Sequence, residues 1–177
     1  MKYLLLLLPL LFTLSETMLF DFDKNADLRN WYIVDDVVMG GESNGRFYVN
    51  NDGHAIFEGS ISLENNGGFS SVRHVFPYQQ VTDSSRLLIR LKGDGKPYQF
   101  RVKHERGAYY SYVVTLQTTG EWQEVSMPLN EMVPTFRGRR LNLPDFDKNR
   151  IGQLGILFGN DRPESFRLMI DDIRLIN

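Results

Sequence analysis

Two glycine-centred stretches concentrate the groups able to do chemistry. MGGESNG, around Gly40 and Gly41, follows Asp35 and Asp36 and carries Glu42, Ser43 and Asn44; ENNGGFSSVR, around Gly67 and Gly68, carries Asn65, Asn66, Ser70, Ser71 and Arg73. Glycine permits backbone corners that other residues resist, and such corners can turn amides, hydroxyls and carboxylates toward one point. Two uses follow. Asp35, Asp36 or Glu42 can pair with a half-buried Arg73 and lock the loops, or the same groups can form an open binding surface with Ser43, Asn66 and Ser70. A further cationic stretch, PTFRGRR, offers Arg137 either as part of a solvated loop or as a planar fork for a carboxylate on a partner.

Catalytic constellations are harder to assemble. Ser70 or Ser71 with His74 makes a nucleophile and a base, but no Gly-x-Ser-x-Gly elbow or orienting third group accompanies them. Asp35 and Asp36 are adjacent, and neighbours on a strand point to opposite faces, so local hydrogen bonding suits them better than shared acid–base work. His54, His74 and His104 lack the spacing of metal ligands. The pentapeptide DFDKN opens twice like a calcium loop, at Asp21 and Asp145, yet Ala26 and Arg150 stand where such a loop needs glycine, and Tyr32 and Ile156 where it needs glutamate. The residues therefore specify no catalytic group, metal or cofactor.

Charge and composition narrow the partners. With 20 Lys and Arg against 22 Asp and Glu in 177 residues, the net charge is −2 and no basic stripe for nucleic acid stands out. There is no Cys, which removes disulfides and thiolate chemistry. One domain can bury roughly two-thirds of its unfolded surface at this size.

The elements that must position these groups are strands. Tyr98, Phe100 and Val102 alternate with Gln99, Arg101 and Lys103, so one face packs and the other is wet. The same period puts Tyr110, Tyr112, Val114 and Leu116 on one face, which makes Tyr110 and Tyr112 core residues and leaves Tyr109 as a surface ring able to stack on a sugar. Trp31 and Trp122 are expected as core anchors. Further strands are predicted over 47–49, 54–63, 69–76, 86–91, 122–127, 154–158, 166–170 and 173–176, and Asp94-Gly95 predicts a hairpin joining 86–91 to 98–104. Short helical turns are expected at 27–30, 82–85 and 129–132. The fold class is all-β: an antiparallel two-sheet β-sandwich of jelly-roll type. Residues 1–17, with Lys2 before an apolar run too short to span a membrane, read as a signal-peptide-like segment, and 18–177 as a single domain with no transmembrane span. Cleavage implies an exported or periplasmic protein, whereas translation from Met18 implies a cytoplasmic one.

DDVVMGGESNG, ENNGGFSSVR, RLKGDGKPY and WQEVSMPLNEMVPTFRGR occur in this order, and together they resemble the complex I intermediate-associated protein family from about Leu19 to Ile176. The resemblance implies a galactose-binding-like jelly roll without catalysis, acting as an assembly factor on a protein partner such as a respiratory-complex subunit or assembly intermediate. The alternative for such a module is a lectin-like role in the cell envelope with a glycan as ligand. On either reading the binding residues are sought among Asp35, Asp36, Glu42, Ser43, Asn66, Ser70, Arg73, Tyr109 and Arg137.

Overall fold

A computed structural model describes residues 15–177. The signal-like reading rests mainly on residues 1–14, which lie outside them. The described strands are β1 (Glu16–Asp21), β2 (Trp31–Asp35), β3 (Asn44–Val49), β4 (Ala55–Ile61), β5 (Ser70–Gln80), β6 (Arg86–Lys92), β7 (Pro97–Lys103), β8 (Ser111–Gln117), β9 (Trp122–Pro128), β10 (Val133–Phe136), β11 (Arg139–Arg140), β12 (Arg150–Phe158) and β13 (Glu164–Ile176). They form two antiparallel sheets. One runs β3-β4-β13-β6-β9, with β1 added beside the second half of β13; the other runs β11-β10-β8-β7-β12-β5-β2. No helix among the described residues is long and apolar enough to cross a membrane.

Alternation explains the layering. In β7 the side chains of Tyr98, Phe100 and Val102 are buried, as are Leu87, Ile89 and Leu91 of β6, and these rows meet between the sheets. Each such fully buried side chain contributes about 1.5–3 kcal/mol of hydrophobic stabilisation. The long β13 changes phase partway, with Phe166, Leu168 and Ile170 inward first and then Ile173 and Leu175. An irregularity in pairing between Ile170 and Asp172 absorbs the odd step, so both halves face the core.

Several expectations need correction. The strands flanking Asp94-Gly95 do not pair, because β6 lies in one sheet and β7 in the other. Gly95 does take a positive φ of 82°. The Asp94 carboxylate, however, accepts hydrogen bonds from the buried Tyr98 hydroxyl at 3.1 Å and the Arg167 amide at 3.0 Å, which commits this segment to crossing between sheets. Trp31 is buried as expected, but Trp122 is only half-buried; it lies against His54 and under the Arg90 guanidinium on the outside of its sheet. β1 begins at Glu16, and its first residues, Glu16 and Thr17, pair with Ile176 and Leu175, a pairing that leaves the expected division at 17/18 neither supported nor overturned. A 3-10 turn forms at Leu129–Glu131, as read from Pro128, but 27–30 and 82–85 are simple hydrogen-bonded turns. The other 3-10 turns, Asp36–Met39 and Glu64–Asn66, occupy the glycine corners.

Replacing Asp94 with Ala should strand the Tyr98 hydroxyl in the interior and lower stability by about 1–3 kcal/mol, read as a lower urea midpoint with unchanged slope.

Candidate functional site

The two glycine corners meet on one carboxylate. Asp36, 1% exposed, accepts hydrogen bonds from the Ser43 amide at 3.0 Å, the Ser43 hydroxyl at 2.5 Å, the Gly68 amide at 2.6 Å and the Phe69 amide at 3.2 Å. The corners must be bare to allow it. A Cβ on Gly41 or Gly67 would stand 2.3 or 2.6 Å from an Asp36 carboxylate oxygen. Burial by itself pushes the Asp36 carboxyl up, but these four donors outweigh it and hold the group below the usual carboxylate range. Asp35 does a similar local job by accepting the Gly45 amide at 3.1 Å.

Beyond this staple lies a cleft of about 530 Å³ on the outer face of the seven-stranded sheet. Its floor is made by the outward residues of β5, β12 and β7. Register puts Arg73 of β5, Gly155 of β12 and Arg101 of β7 in one transverse row, with Ser71, Leu157 and Gln99 in the next row on one side. On the other side Gln153 of β12 lies opposite Lys103 of β7. Loops close the ends: Asn66 to Phe69 and Gly159 to Asp161 at one, Tyr109 and the β10–β11 hairpin at the other. At the hairpin tip Arg137 and Gly138 both adopt positive φ, 49° and 77°, the arrangement a two-residue primed turn needs. Arginine is strained there, and its guanidinium lies 5.4 Å from the centre of the Phe136 ring.

Electrostatics set the cleft apart. The lining carries Arg73, Arg101, Lys103 and Arg137 against the single carboxylate of Asp161, although the chain as a whole is slightly acidic. Among the described residues none of these four cations forms an ion pair. Arg101 is steadied instead by the neutral Gln99 side chain, at 2.6 and 3.2 Å, and Lys103 donates to the Ala108 carbonyl. Burial, then repulsion from Arg73, pushes the Arg101 guanidinium down to about 10. The Lys103 ammonium is lowered by burial and by both arginines.

The residues singled out from the sequence thus separate into two groups. Asn66, Arg73, Tyr109 and Arg137 line the cleft. Asp35, Asp36, Ser43 and Ser70 lie in or beside the staple, where Ser70 and Asp35 flank Gly45, while Glu42, between Gly41 and Ser43 in the chain, is exposed. The expected ion pair between Arg73 and Asp35, Asp36 or Glu42 does not form; backbone amides occupy Asp36 in its place. Ser71 and His74 are on opposite faces of β5, and Ser70 shares the His74 face but sits two pairs of residues away, roughly 13 Å along the strand. His74 is stacked on Trp31 at 4.5 Å, and burial lowers its imidazole below the usual range. Arg101, Lys103, Gln99 and Gly155 were not singled out. For Gln99, Arg101 and Lys103 the signal in the sequence was the polar alternation of β7, which by itself reads as a wet face.

Two antiparallel sheets packed face to face make this a β-sandwich of the jelly-roll, galactose-binding-like type, and the cleft crosses the outer face of one of them. The chain belongs to the complex I intermediate-associated protein 30 (CIA30) family, whose model matches residues 20–170. An uncharacterised protein of Schizosaccharomyces pombe is 27% identical, over 89% of this chain and 83% of its own length. Complex I intermediate-associated protein 30, mitochondrial, of Mus musculus is 23% identical over 86% of this chain, which spans only 53% of that relative. Among solved structures, the family 11 carbohydrate-binding module of a Clostridium thermocellum cellulosomal cellulase superposes with a TM-score of 0.63 at 15% identity, over 92% of this chain and 95% of the module. A family 29 carbohydrate-binding module superposes with a TM-score of 0.57 at 12% identity, over 93% and 87% of the two chains. At such identities the likeness is one of fold.

Because the folded Asp36 pKa lies below its unfolded value near 3.8, its contribution to stability is complete above that value and is lost as pH falls through the folded pKa. Asp36→Asn should cost about 3 kcal/mol at neutral pH and flatten the acid limb of the stability curve, measured by urea unfolding across pH.

Proposed function

We propose that this domain is a non-catalytic binding module that holds a partner protein during assembly or stabilisation, with the cleft as the contact surface. The observation that carries the reading is a solvent-open cleft on a rigid sheet, walled by loops and lined by donors and rings. Family membership supports an assembly role, and its finer form is association with complex I intermediates, which the family description and the name of the mouse relative both mention. Binding loops raised on a sandwich suit this work, since the scaffold holds them with little loss of order on contact.

A carbohydrate ligand is the second reading. It is favoured by the solved carbohydrate-binding modules of the same fold and by the rings of Tyr109 and Phe136, 5.4 Å apart at one end of the cleft. Affinity capture from a native extract with mass spectrometry, run beside a glycan array, separates the two. Reproducible glycan binding without any captured protein would overturn the protein-binding reading.

Arg137 gives a variant in which a role in binding and a role in folding predict opposite results. Arg137→Gly relieves the positive φ, so stability should stay level or rise by up to about 1 kcal/mol while partner capture falls. Tyr109→Ala, at a residue 65% exposed, should likewise weaken capture without moving the Tm. A loss of folding in both variants would return these residues to a structural role.

A further inference from the structure

Unneutralised cations at the centre of a sheet need a reason. A buried or half-buried charge is costly unless paired, and a fold free to choose would set a carboxylate beside Arg73 or Arg101. Acidic residues are plentiful elsewhere, yet Asp161 alone reaches this lining. The arginines also share an unusual neighbour. Gly155 stands between them in the same transverse row, so its lack of a side chain leaves a slot flanked by two guanidinium-bearing residues. A Cβ there would meet the Val72 carbonyl oxygen at 3.2 Å and Arg73 Cγ at 3.4 Å, tight but not forbidding contacts. Even a methyl group there would make its neighbours give way, so the Gly155 backbone is left bare on the cleft floor. The Ser71 hydroxyl, also in the lining, is buried with no hydrogen-bond partner in the protein.

We infer that the cleft receives an acidic polypeptide segment, with one carboxylate seated over Gly155 between Arg73 and Arg101 and a neighbouring one against Lys103. This deepens the proposed function and rests on the cleft being the contact surface. Guanidinium forks grip carboxylates in two places, and Gln99 holds the Arg101 fork from the side, so its orientation is set before the ligand arrives. The cleft crosses β5, β12, β7, β8 and β10, a span of roughly 19 Å at about 4.8 Å per strand, which fits an extended peptide of about six residues. A sugar chain, neutral or acidic, calls for flat rings beneath it. Here the aromatic lining residues Phe69, Tyr109 and Phe136 stand at the ends, and Leu157, Gly155 and Gln153 make the floor.

The test titrates fluorescein-labelled hexaglutamate, hexaglutamine and a galacturonic acid hexamer into the whole protein and follows anisotropy. Hexaglutamate should bind, weaken as salt rises, and lose at least about tenfold in affinity in the double variant Arg73→Gln with Arg101→Gln. Hexaglutamine should not bind. Arg46→Gln, which removes an exposed arginine from the six-stranded sheet, should match the wild type. The double variant should melt at or above the wild-type temperature, since it relieves repulsion. A fall of several degrees would show that these arginines hold the sheet together and would overturn the inference, as would an undiminished affinity for hexaglutamate. Tighter binding of the galacturonic acid hexamer would overturn it in favour of an acidic glycan. If hexaglutamate fails to bind, capture of a protein partner decides what has failed. Capture abolished by Tyr109→Ala at an unchanged Tm leaves the cleft as the contact surface and sinks only its acidic preference; capture untouched by that variant sinks both.

Discussion

The architecture at one end of the cleft depends on one buried carboxylate. Asp36 gathers two amides from the second glycine corner and an amide and a hydroxyl from the first, so two loops far apart in the chain behave as one body. The loop from Asn66 to Phe69 closes one end of the cleft, and its position is therefore set by a charge just past the end of β2 rather than by anything in the cleft. An interaction of this kind fails as a unit. Protonate the carboxyl and one oxygen becomes a donor among donors while the other accepts less strongly, in a place where water cannot fully replace what is lost.

The division of labour between the faces of the seven-stranded sheet follows from the same economy. The inner face is apolar and pays the entropic cost of folding; the outer face carries side chains whose electrostatics work against the fold. β12 shows this within a single strand, since Leu154, Ile156 and Phe158 pack into the core while Gln153, Gly155 and Leu157 make the cleft floor. Near-continuous burial along β12 thus arises from two different sources, a core on one face and flanking long side chains on the other. Strain is handled likewise. Arg137 holds a backbone conformation better suited to glycine, at a hairpin tip where its side chain overhangs the cleft.

Much of the sandwich was legible in the sequence because period-two alternation reports burial directly. Tyr98, Phe100 and Val102 were readable as a packed row, and Tyr112 and Leu116 as another. Pairing was not, since alternation says which way a residue faces and nothing about which strand lies beside it. Asp94-Gly95 illustrates the limit: the same dipeptide serves a tight hairpin or a passage between sheets, and what decides is the reach of its carboxylate to Tyr98 and to the amide of Arg167, 73 positions away. The cleft was half visible for the same reason. Arg73, Tyr109 and Arg137 drew notice from local motifs, whereas Arg101, Lys103 and Gly155 acquire meaning only when β12 is laid between β5 and β7.

The meeting of β1 and the end of β13 has a mechanical consequence. Ser15 and Asn177 exchange backbone hydrogen bonds, and the antiparallel ladder runs inward from there. Tension applied at these two points would load the rungs one after another, like a zipper drawn from its open end, instead of shearing them together. A protein tethered through both ends would therefore yield at low force, peeling β1 away before the rest of the sandwich bore any load.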